Sequence, residues 1–118
     1  MRPRDGGLLR SHNRRFQQLV KEACVPTYIL LSTLSPHGVG TLKANPTRLK
    51  EVNAEIEQMG AKVIQQWAVL GPYDFVNIVE ADDEKVIARV SVELAARGTA
   101  HFQTLTAIPV DEFLSLLK

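Results

Sequence analysis

Four consecutive residues, Gly71-Pro72-Tyr73-Asp74, carry the densest chemical signal in the chain. A phenol beside a carboxylate at a cleft rim can serve as a proton donor and a base. The same residues also make a turn: Gly and Pro bend the backbone, and an Asp carboxylate accepts from nearby amides and pins strand register. Because turn residues bond in this way so commonly, the structural role outweighs the catalytic one. His101 is the third weak catalytic candidate, since an imidazole titrates near neutral pH. The other histidines, His12 and His37, lie far from it in sequence and form no His-x-x-x-His pair. Cys24 is the single cysteine and no mixed Cys/His spacing occurs, so a metal site is not expected; no cofactor is expected either. Tyr28, Trp67 and Asn77, with Gln65, have the composition of a small-ligand pocket, an apolar wall with a few placed donors. A partly polar dimer interface uses the same residues, and that use is preferred. Glu80, Asp82, Asp83 and Glu84 suit the start of a helix better than a divalent metal.

These side chains need elements to hold them. Thr27 to Leu34 is β-branched, aromatic and aliphatic, and reads as a strand running into a loop at Ser35-Pro36-His37-Gly38. From Pro46 to Gly60 the period changes: Leu49, Val52, Ile56 and Met59 recur every three or four residues, with Asn45 as cap and Gly60 as stop. Lys62 to Leu70 and Tyr73 to Glu80 form two strands joined by Gly71-Pro72, too short a link for a crossover and hence an antiparallel hairpin. Asp82 and Asp83 open a second helix with Val86, Ile87, Val90 and Leu94 on its apolar stripe, closed by Gly98. Thr99 to Ile108 is the last strand. Pro109 then starts a short helix with Phe113, Leu116 and Leu117 on one face.

The order βαββαβ implies an α+β fold, a ferredoxin-like plait with a short C-terminal helix. Both helices cover one face of such a sheet. Yet the strands are apolar on both sides: Ile29 and Leu31 oppose Tyr28 and Leu30, and Val76 and Ile78 oppose Phe75 and Val79. One apolar face is left over, which soluble monomers seldom tolerate, and a second copy of the chain is the simplest cover. Phe75 and Val79 are the residues expected at that interface.

With 118 residues, 45% of them hydrophobic and 23% charged, the chain is sized for one ordinary globular domain. No apolar run approaches the length that spans a bilayer, and Arg2 and Arg4 are not followed by a signal-type apolar stretch. A cytoplasmic location, with no membrane contact, is the default. The formal charge of +1 conceals a basic start, six Lys/Arg against two acids in residues 1–26. The remainder is mildly acidic and offers no Lys or Arg on the third strand, so nucleic acid is not an expected partner.

The run Leu70-Gly71-Pro72-Tyr73-Asp74-Phe75-Val76-Asn77 resembles the GYD domain family, small bacterial proteins named for the Gly, Tyr and Asp of this hairpin. Pro26-Thr27-Tyr28-Ile29-Leu30-Leu31, Pro46-Thr47-Arg48-Leu49, Met59-Gly60-Ala61-Lys62-Val63 and Thr104-Leu105-Thr106-Ala107 match further parts of that pattern in order. Two departures stand out: Thr106 occupies a position where the pattern has an Arg, and the Arg or similar polar residue that the pattern has near His101 is missing. The resemblance implies a dimeric α/β barrel, two plaits packed open face to open face, and implies no reaction.

Three functions fit these features. The first is a homodimeric protein that binds a small molecule or acts as an assembly module. The second is a cofactor-independent oxygenase or isomerase acting on a small apolar substrate, and the third is a ligand-sensing regulatory module. The family pattern occupies 26–118, leaving 1–25 as a basic N-terminal extension. Phe16, Leu19, Val20 and Ala23 form a helical stripe there, but the pattern begins just after Val25, so the extension is read as a mis-assigned start.

Overall fold

The computed structural model describes residues 25–118. The basic extension through residue 24, with its expected stripe of Phe16, Leu19, Val20 and Ala23, lies outside the described residues. The elements are β1 (Thr27–Leu34), α1 (Pro36–Ala44), α2 (Arg48–Gln58), β2 (Ala61–Ala68), β3 (Phe75–Ala81), α3 (Glu84–Ala95), β4 (Ala100–Ala107) and α4 (Val110–Ser115). The four strands form one antiparallel sheet in the order β2-β3-β1-β4, the strand order of a ferredoxin-like plait. None of the described helices is long and apolar enough to cross a membrane.

Local chemistry places most of the helix ends. The Asp83 carboxylate accepts from the amides of Lys85 and Val86 at 2.9 and 3.2 Å and starts α3. Gly60 (φ 105°) and Gly98 (φ 75°) take the left-handed backbone that ends α2 and follows α3. The segment after β1, expected as a loop, is instead the nine-residue helix α1. Ser35 caps it, its hydroxyl accepting from Gly38 N at 3.0 Å, and Pro36 occupies the first turn. Asn45, expected to cap the following helix, closes α1 through its amide to Thr41 O and accepts from the Thr47 hydroxyl.

α1 is held down by an unusually close approach. Ser35 N donates to Thr99 O at 2.9 Å and Ser35 Oγ to Gly98 O at 2.7 Å. A Cβ on Gly38 would lie 2.1 Å from the Thr99 carbonyl oxygen, so only glycine fits there.

The core lies between the sheet and the helices. Tyr28, Leu30, Val79, Ala81 and Ala61 from the strands pack on Ile56 of α2 and on Ile87, Val90 and Leu94 of α3. Leu30, Val79 and Val90 are fully buried, each worth about 1.5–3 kcal/mol against exposure. Phe75 and Val79 therefore lie beneath the helices, which corrects their expected place at an interface. Both strands are apolar on each side, so alternation alone does not name the inner face. The uncovered face carries the opposite set: Ile29, Leu31, Val76 and Ile78, with Trp67 and Leu105 about half exposed.

Two local features move residues from their expected positions. A bulge at Ile64 interrupts the β2–β3 register between Val63 and Gln65. Beyond it, Gln66 pairs with Asn77 on the helix side, while Gln65 and Trp67 fall on the open side. The β2–β3 link is also longer than Gly71-Pro72: it spans 69–74, closed by Val69 N donating to Asp74 O, with Leu70 wholly exposed at its tip.

Candidate functional site

Between the sheet and the helices is a cavity of about 130 Å³. β1 and β3 give its floor through Leu30, Phe75, Asn77 and Val79, and α1 and α2 give its walls through Leu42, Val52 and Ile56. Leu94, Arg97 and Phe102 close the side next to β4.

One wall is a chain of side-chain amides. Asn77, only 6% exposed, donates to Leu30 O at 2.9 Å and to Ser32 Oγ at 3.2 Å. Gln66 Nε2 donates to Asn77 Oδ1 at 2.7 Å and to Asn53 Oδ1 at 3.3 Å. Asn53 returns a bond to Gln66 Oε1 at 2.9 Å. This network ties α2 to three strands of the sheet, and it meets the requirement that buried polar groups be paired.

At the rim, the Glu55 carboxylate holds two guanidinium groups. Arg97 Nη1 lies 2.6 Å from Glu55 Oε1, and Arg48 Nη2 lies 3.7 Å from the same oxygen. The Arg97 hydrogen bond, outweighing partial burial, sets the Glu55 carboxyl below its ordinary range. The pair therefore contributes stability above the usual carboxylate pKa and loses it as pH falls through the lowered value.

The catalytic candidates lie elsewhere. Asp74 is absorbed by the backbone: its carboxylate accepts from Leu34 N at 2.7 Å, and its amide donates to Ser32 O at 2.8 Å. The hydroxyl of Tyr73 donates to Gln103 Oε1, which belongs to the open-face row of β4. His101 is exposed on that same row, paired with Thr33. The sheet stands between Tyr73 or His101 and the cavity. His37 is exposed on α1, and His12 lies outside the described residues.

The three ligand candidates separate as well. Asn77 lines the cavity. Tyr28 is buried in the core near the start of α3, where burial and then the Glu84 and Asp83 carboxylates push its phenol up. Trp67 is on the open face. Missed from the sequence were Ser32, Asn53, Gln66, Arg48 and Arg97. Gln66 was hidden by the bulge beside it, and the two arginines stand 49 positions apart on different helix ends.

Comparison with known proteins agrees with the hairpin pattern. The GYD domain model matches residues 28–117. The glutamine synthetase and cystathionine beta-lyase binding protein of Thermus thermophilus is 53% identical over 95 residues, which is 80% of this chain and 100% of that protein. A crystal structure of a Thermus thermophilus protein aligns with 22% identity and a TM-score of 0.46, over 71% of this chain and 94% of that one.

Proposed function

We propose that this chain, which belongs to the GYD domain family, is a protein-binding assembly module that works as a homodimer in the cytoplasm. The observation that carries the reading is the relative at 53% identity whose whole length is matched and whose name records binding to two enzymes. Glutamine synthetase and cystathionine beta-lyase are accordingly the partner classes proposed here. The open sheet face supports the dimer. Ile29, Leu31, Val76, Ile78, Trp67 and Leu105 make an apolar surface of the kind that favours a second copy over water.

A ligand-sensing role is a second reading, favoured by the two sides of β3. Phe75, Asn77 and Val79 face the cavity while Val76 and Ile78 face outward, so one strand joins a small-molecule site to a docking surface.

Biolayer interferometry with purified glutamine synthetase and cystathionine beta-lyase from the same organism tests the partner assignment. Saturable binding to at least one enzyme, absent with an unrelated enzyme of similar charge, is expected. No binding to either would overturn it.

A further inference from the structure

The cavity is built for a particular kind of guest. Its volume of about 130 Å³ is close to that of cavities of about 150 Å³ known to hold a benzene-sized molecule. An apolar body of about five or six carbon atoms fits that space. Leu30, Ile56, Phe75, Val79, Leu94 and Phe102 supply apolar contact. The amide wall is already committed, since Asn77 spends both of its N–H groups on Leu30 and Ser32, and Gln66 spends its own on Asn53 and Asn77.

At the rim the donors are only partly committed. Of the ionisable side chains lining the cavity, Arg48 and Arg97 are cationic and none is acidic. Each guanidinium has five N–H donors. The ion pairs that reach Glu51 and Glu55 use Nη1 of Arg97 and the two terminal nitrogens of Arg48. Both side chains are about one-third exposed, at 33% and 37%, so they mark where the apolar chamber meets solvent. An anionic head there finds spare donors from two arginines, while its body stays in the chamber.

We propose that this sheet–helix cavity binds a small monocarboxylate, its short apolar body in the chamber and its carboxylate on Arg48 and Arg97. An amine of the same shape finds no acidic side chain lining the cavity, since Glu51 and Glu55 are held on the arginines, and an alcohol forgoes the charge-assisted bonds. The assignment goes beyond protein binding and does not depend on the partner enzymes. Nor does it require catalysis.

The test compares hexanoate, hexanol and hexylamine by calorimetric titration of the full chain, with amide spectra to locate binding. Hexanoate is expected to bind at least tenfold more tightly than either control and to shift the side-chain amides of Gln66 and Asn77. Arg97→Gln should abolish that tenfold preference while hexanol binding is retained, and Arg48→Gln should reduce it. Equal affinity for the three probes overturns the proposal, as do shifts confined to Val76, Ile78 and Trp67 on the other face. Persistence of the carboxylate preference in both variants overturns it too.

Discussion

Asp74 makes a single-residue case for structure over chemistry. One side chain and its own backbone tie the β2–β3 loop to β1, with Oδ2 on Leu34 N at 2.7 Å and the Asp74 amide on Ser32 O at 2.8 Å. A hydrogen bond that a partly buried amide donates to a charged acceptor is worth more than a neutral one, and removing the acceptor strands the donor. Asp74→Ala should therefore cost about 2 kcal/mol in urea unfolding without altering the helix content seen by circular dichroism. A change within about 0.5 kcal/mol, the range of surface substitutions that break no specific interaction, would remove the register role. This role was legible in the sequence, because Gly-Pro-Tyr-Asp between two apolar runs is turn chemistry with a mechanism. The cavity residues were not. Nothing local links Asn53, Gln66 and Asn77, which come together only when α2 lies on β2 and β2 pairs with β3.

Among the elements, the sequence was most readable where a terminal signal and a periodic stripe agreed. β1 occupies the expected Thr27–Leu34, and α3 starts on Asp83 with Ile87, Val90 and Leu94 buried as its spacing requires. α1 was the hardest to see, since two glycines within nine residues lower its intrinsic helicity. Packing offsets that loss, as Gly38 lets the helix settle against Thr99. Gly38→Ala puts a methyl group 2.1 Å from a backbone oxygen, so either α1 or the α3–β4 turn must shift. The expected outcome is a loss of about 1–3 kcal/mol by thermal or urea unfolding. The neighbouring Gly40→Ala meets nothing within 4 Å and should be neutral or slightly stabilising, which makes it the matched control. Equal effects of the two substitutions would dismiss the close-approach account.

For the whole molecule, the two-sided strands were visible from the start, but which side turned inward was decided by the helices. Their stripes meet Leu30 and Val79, and this leaves Val76 and Ile78 outward. Substitutions on the two sides should fail differently. Ile78→Asp places a charge on the open face, and on the homodimer proposed above light scattering at micromolar concentration should show the mass fall from two chains to one with the fold retained. Phe75→Asp buries that charge under the helices and should unfold the chain instead. A fully dimeric Ile78→Asp protein would place the contact elsewhere, and a wild-type monomer would remove it. The bulge at Ile64 carries a different consequence, one for the gene. The strand contains one residue more than its partner can pair, and Val63 and Gln66 already face inward on either side of it. Loss of that single codon would leave a regular strand with Gln66 still on Asn77 and Trp67 still outward. Ile64 is therefore a place where this chain can shorten by a residue without exchanging the inside of the protein for its surface.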